Sequence, residues 1–138
     1  DICGLREAFE NIKKDADMLF RHARIGNACR QAVTDAGLKL HLESGFSNTV
    51  TVFDVPEQTT AKDILDMMKQ EHNIMLAGSF EGLAGQVIRI GHMGSNANVS
   101  DMTETMEALD QTFEKLGVPL KCSLKESFTA VLYSPPAR

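Results

Sequence analysis

Apolar residues in the first quarter of the chain recur at three- and four-residue steps: Leu5, Ala8, Phe9, Ile12, Ala16, Leu19, Phe20 and Ala23. That spacing lines one face of an α-helix. The pattern continues through Ala28, Ala32, Val33 and Ala36 to Gly37, so it predicts one long helix with a weak point at Gly26 and a glycine stop. Leu38–Leu42 then reads as a short strand and 43–48 as a loop. Thr49–Val55 alternates β-branched and aromatic residues until Pro56, which predicts a strand. Thr60 with Asp63 has capping-box spacing ahead of a second helix, whose buried stripe is Ala61, Ile64, Leu65 and Met68 and which ends near Asn73. Ile74–Ala77 reads as a strand, the three-glycine stretch 78–85 as a loop, and Val87–Ile90 as another strand. Asn98 caps a third helix along Val99, Met102, Met106, Leu109, Phe113 and Leu116, closed by Gly117. Beyond it, Leu124, Phe128, Val131 and Leu132 allow a helical turn or two before Tyr133-Ser134-Pro135-Pro136 ends regular structure.

The order of these elements predicts an α+β sandwich: a small, mostly antiparallel sheet with helices packed on one face. The expected organisation is a single domain over 1–138, made of an entering helix (1–37), a sheet-and-helix core (38–117) and a tail (118–138). A start at Asp1 without an initiator methionine reads as the beginning of a fragment of a larger protein.

Composition narrows the function classes. The 138 residues are 43% apolar with a formal charge of −5, enough for one core. An acidic chain without a Lys/Arg cluster is not expected to bind nucleic acid. With no apolar run near the roughly 20 residues that cross a bilayer and no signal segment, no membrane role is expected and the location is read as cytoplasmic. Cys3, Cys29 and Cys122 are odd in number and lack CxxC spacing, and His22, His41, His72 and His92 lack metal-ligand pairing, so neither a disulfide framework nor a metal site is expected. No Walker loop, GxGxxG, GxSxG or HExxH occurs. No catalytic residue is assigned in this chain.

The segment that invites a specific role is Leu83-Ala84-Gly85-Gln86-Val87-Ile88-Arg89-Ile90-Gly91-His92-Met93-Gly94. Arg89 sits inside a short apolar strand bracketed by glycines. Its guanidinium is permanently charged and presents a planar fork suited to a carboxylate. On residues alone it is read either as such an anion site or as a strand-edge arginine reaching water or a surface carboxylate.

This stretch resembles the signature of class V, fold type I aminotransferases that use pyridoxal 5'-phosphate, nearest the alanine-glyoxylate and serine-pyruvate branch. The resemblance runs over nearly the whole chain and follows the order of that family's C-terminal small domain. Asn48 stands where the family usually has proline, and Gln86 where it often has a basic residue. The resemblance implies that Arg89 binds the substrate α-carboxylate, with Gly91, His92 and Gly94 supporting the site loop. It also implies an amino-acid/2-oxo-acid substrate pair of pyruvate or glyoxylate type and a homodimeric parent. The cofactor lysine, the aspartate on the pyridine nitrogen and the phosphate cup would belong to a large domain missing from this chain, leaving the fragment inactive by itself. The competing expectation is a free-standing module that binds a small carboxylate or mediates assembly without catalysis.

Overall fold

The computed structural model describes residues 2–134. Five α-helices and one small sheet make up most of its regular structure: α1 (Ile2–Lys14), α2 (Met18–Asp35), β1 (Val50–Asp54), α3 (Ala61–His72), β2 (Val87–Gly91), α4 (Val99–Lys115) and α5 (Leu124–Tyr133), with short 3-10 turns at Glu81–Leu83 and Gly94–Asn96. The fold is α+β, as the sequence pattern predicts.

The long first helix of that pattern is two helices. The break falls at 15–17 rather than at Gly26, which lies inside α2. Tight backbone turns mark it, with the amides of Asp15 and Met18 donating to the Ile12 and Asp15 carbonyls at 3.2 Å each, and the Asp15 carboxylate accepts from both Nη atoms of Arg21 at 2.7 and 2.6 Å across the break. Gly26 answers to packing instead. A Cβ there would lie 3.2 Å from the carbonyl oxygen of Asn48 and 3.1 Å from Nη1 of Arg30, so the missing side chain lets α2 approach the backbone ahead of β1.

The strands β1 and β2 pair antiparallel, with Val50 opposite Gly91, Val52 opposite Arg89 and Asp54 opposite Val87. The expected strands at Leu38–Leu42 and Ile74–Ala77 shrink to single antiparallel bridges, Leu40 to Phe53 and Ala77 to Arg89. They flank the pair and tie up some of its edge groups: the amides of His41 and Asp54 donate to Val52 and Lys39, and Ala77 and Arg89 exchange two bonds.

Alternation along the strands sorts the faces. Thr51, Phe53, Ile88 and Ile90 turn inward and are buried. Phe53 meets Phe113 of α4 edge to face, centroids 6.2 Å apart. Ile25, Cys29, Val33, Ile64, Met68, Met106, Leu109, Leu124 and Phe128 complete one core from α2, α3, α4 and α5. Val50, Val52, Arg89 and Gly91 lie on the opposite face, which no helix covers.

Local signals set the helix ends. Thr60 and Asn98 accept from the amides of Asp63 and Asp101 at 3.2 and 2.8 Å. Asn73 closes α3 in the left-handed conformation, and Gly37 and Gly117 follow α2 and α4 at positive φ. The tail is more regular than its pattern suggests: α5 runs ten residues, because Asp110 of α4 accepts from the amides of Leu124 and Lys125 and from the Ser123 hydroxyl. Pro135 and Pro136 lie outside the described residues. Among the described residues no helix is long and apolar enough to cross a membrane.

Candidate functional site

Arg89 projects from the middle of β2 on the uncovered sheet face, half-buried. Its Nε donates to the carbonyl oxygen of Gly78 at 2.5 Å, and its guanidinium carbon sits 5.5 Å from the centre of the Phe80 ring. A backbone bond on one side and an aromatic plane on the other fix the fork's orientation. Phe80 precedes Glu81, whose φ of 49° is unusual for a residue with a side chain. Among the described residues no carboxylate pairs with Arg89 and neither Nη atom has a hydrogen-bond partner. The side chain opens on a cavity of about 330 Å³ lined also by Val50, Met75, Ala77, Met93 and Asn96. A charged, oriented donor pair facing an otherwise uncharged recess is suited to a small carboxylate.

His92 lies on the other side of the sheet, fully buried. Its Nδ1 is 3.1 Å from the Asn48 carbonyl oxygen and must donate there, so Nε2 accepts from the Thr51 hydroxyl at 2.9 Å. Burial, the largest influence, holds its pKa below the usual 6.5, which favours the neutral ring this pattern needs. His92 therefore ties the end of β2 to the start of β1. It does not reach the Arg89 cavity.

Gly94 has φ of +59°, a conformation glycine adopts without penalty, and its amide donates to Nε2 of His22 at 3.1 Å, while Nδ1 of His22 meets the Met18 carbonyl at 2.6 Å. Gly91 ends β2 without a positive φ and borders the Arg89 cavity. Arg21 completes the support, with Nε donating to the Ala97 carbonyl at 2.8 Å. Thus α2 holds the loop after Arg89 through Arg21 and His22. Sequence reasoning passed over both, because Arg21-His22 reads as a charged surface pair; the overlooked signal is that position 22 is spaced four and seven residues before the buried Gly26 and Cys29.

Arg30, also passed over, is 8% exposed. It donates to the Ser47 carbonyl at 2.9 Å and to side-chain oxygens of Asn27 and Asn48 at 2.5 and 3.3 Å, with Phe46 5.0 Å from its guanidinium carbon. Cys29 beside it is buried, and desolvation pushes its thiol up to about 12, leaving it unreactive. Among the described residues no cluster of three or more His, Cys, Asp or Glu is arranged for a metal.

No family model matches the chain. Curated and solved proteins do. It is 34% identical over 121 residues to a serine–glyoxylate aminotransferase of Arabidopsis thaliana, covering 85% of this chain and 30% of that protein. The alanine–glyoxylate aminotransferase of Nostoc sp. superposes with a TM-score of 0.73 at 31% identity, over 79% of this chain and 30% of that one. The ureidoglycine–glyoxylate aminotransferase of Bacillus subtilis superposes at 0.87, with 22% identity over 94% of this chain and 35% of that one, and so speaks to the fold. The fold is that of a part of aminotransferase chains. The chain's homologues are serine- and aspartate–glyoxylate aminotransferases and its structural neighbours are class V pyridoxal-phosphate aminotransferases, which it matches as a partial, C-terminal-like region. It spans about a third of the length of the relatives it matches.

Proposed function

We propose that this chain is the C-terminal small domain of a transaminase that moves an amino group from an amino acid to a small 2-oxo acid of pyruvate or glyoxylate type, and that Arg89 holds the substrate α-carboxylate. The observation that carries this reading is the oriented, carboxylate-free fork of Arg89 above its cavity. Two parallel N–H···O bonds from a fixed guanidinium set both the position and the rotation of a carboxylate, which aligns the rest of the substrate for reaction. Arg89 binds and orients; it moves no proton. The glycines and His92 act behind it: Gly94 makes the turn, His22 and Arg21 hold it, and His92 fixes the strand ends.

The residues of this cavity do not suit pyridoxal phosphate. Its lining includes no lysine to bond the cofactor aldehyde and no carboxylate to pair with a pyridine nitrogen. In this reading those groups come from a large domain in the remainder of the parent chain, and the parent is a homodimer.

The test is single-turnover reaction of the full-length parent with its amino acid. Losing two charge-assisted hydrogen bonds predicts that Arg89→Ala lowers the second-order rate constant about 10²–10³-fold. Arg89→Lys should recover only part, because an ammonium cannot offer the same fork. An Arg89→Ala parent with unchanged kinetics overturns the carboxylate role.

A further inference from the structure

Asn96 carries the one polar, uncharged side chain among those lining the Arg89 cavity. It belongs to the short turn Gly94–Asn96, and the fold pins the backbone on both sides of it. The Ser95 carbonyl accepts from Nδ2 of Asn98 at 2.9 Å, the Ala97 carbonyl accepts from Nε of Arg21 at 2.8 Å, and the Asn96 amide donates to the Met93 carbonyl. The carboxamide of Asn96, by contrast, is exposed and has no hydrogen-bond partner among the described residues. Neighbouring asparagines are spent on the fold: Asn48 accepts from Arg30, and Asn98 caps α4. A fixed backbone carrying an unused amide suits a ligand contact, since little order has to be created when the bond forms.

Placement adds to the chemistry. The Arg89 cavity adjoins a second recess of about 460 Å³, and Met75, Gly91 and Asn96 line both. With an α-carboxylate on the Arg89 fork, a substrate side chain that extends toward the wider space passes Asn96. Asp101 and Glu104 line that second recess, and their charge disfavours an acidic side chain there. The rest of the Arg89 cavity wall, Val50, Met75, Ala77 and Met93, offers a polar group no side-chain bond. A carboxylate engages only the NH2 half of an amide, whereas a hydroxyl takes either half, accepting from Nδ2 or donating to Oδ1. We propose that Asn96 is a specificity-determining residue that bonds a neutral hydrogen-bonding group, a hydroxyl in the smallest case, on the side chain of a short amino-acid substrate. This rests on the carboxylate role of Arg89 proposed above and concerns the part of the substrate that Arg89 does not read.

Steady-state transamination by the full-length parent tests it with two donors that differ by one hydroxyl, L-serine and L-alanine, against glyoxylate as acceptor. Asn96→Leu keeps the side chain's size and removes its hydrogen bonds. It should lower the serine-to-alanine ratio of kcat/KM about 10-fold, with alanine held within about twofold. The retained alanine turnover shows that the variant is folded. Asn96→Ala removes the same bonds without adding bulk to the turn and should shift the ratio alike. Arg89→Ala should lower both donors together and keep their ratio within about twofold. A ratio within about twofold of the parent's in either Asn96 variant overturns the proposal, whether the two constants stay unchanged or fall together. If Arg89→Ala leaves both donors unchanged while the Asn96 variants shift the ratio, the carboxylate role falls and the specificity role stands. A parent that transaminates neither donor overturns both.

Discussion

Arg30 of α2 and Arg89 of β2 each have a phenylalanine ring beside the guanidinium, and their surroundings differ in what they leave unfinished. Arg30, at 8% exposure, is met by the Ser47 carbonyl, two asparagine side chains and the Phe46 ring. Desolvation lowers its pKa, the expected cost of burying a cation against neutral partners. Arg89 has one backbone bond, one aromatic neighbour and a fork aimed into open space. A largely buried arginine whose two Nη atoms meet carbonyl oxygens is suited to holding a loop in place; a half-buried one with an oriented, unused fork is what the proposed carboxylate role requires.

The largest expected effect breaks this contrast most directly. Arg30→Ala strips donors from three oxygens and removes a largely buried side chain, and should destabilise the protein by about 1–3 kcal/mol. It would be read as a fall in denaturant midpoint at constant slope. Arg89→Ala removes no buried partner and should stay within about 0.5 kcal/mol of the parent sequence. Comparable losses at both positions would mean that Arg89 is structural after all. A small loss at Arg30 would mean that the loop at 43–48 stands without it.

Most of the fold was legible in the chain because caps and periodicity are local. Thr60, Asn98, Gly37 and Gly117 each act within a few residues, and the structure uses each as its position implies. The failures came where a distant partner decided the outcome. Gly26 looked like a helix weak point, but its small size matters because Asn48, far along the chain, approaches it. The flanking strands shrank to single bridges, Leu40 to Phe53 and Ala77 to Arg89, an extent that depends on partners more than ten residues away. The α1–α2 break is a backbone turn bridged by the Asp15–Arg21 pair, and the apolar spacing runs through it without interruption. At the site, Arg89 was visible as a charge inside an apolar strand. Its helpers Arg21 and His22 were not, because their bonds reach Ala97 and Gly94 across more than seventy residues.

His92 sharpens the comparison on the Arg30 side, since both hold Asn48. With its pKa lowered by burial, His92 stays neutral in the folded protein at pH values where the unfolded chain, titrating near 6.5, already takes up a proton. The unfolded state then binds more protons, so stability is full above about pH 6.5 and falls as pH drops below it, levelling off under the lowered folded pKa. The carboxylates of Asp15 and Asp54, lowered chiefly by hydrogen bonds from Arg21 and from Lys39, act in a separate and more acidic window, from their ordinary value of 3.8 downward. His92→Gln should cost about 1–2 kcal/mol at pH 8 through weaker bonding to Thr51 and Asn48. It should also flatten the denaturation midpoint between pH 7 and pH 5; an undiminished slope would assign the effect to another group.

A smaller loss than at Arg30 or His92 is expected at Gly94, where the loop passes from the His92 side of the sheet toward the Arg89 cavity. A Cβ at Gly94 would meet nothing within 4 Å, so Gly94→Ala tests conformation without a clash. At φ of +59° the cost should be about 1 kcal/mol, and Gly94→Asn should recover part of it, because asparagine tolerates this region better than alanine. The Gly94 amide keeps its hydrogen in both variants, so the bond to His22 survives wherever the loop holds its path. If the loop supports Arg89 in the proposed carboxylate-binding role, the alanine variant of the parent should raise KM for the amino acid more than it lowers kcat, since that role is one of binding and not of reaction. An equal stability loss with no change in KM would place Gly94 with Arg30, in the part of the molecule that holds the chain together and has no share in the fork.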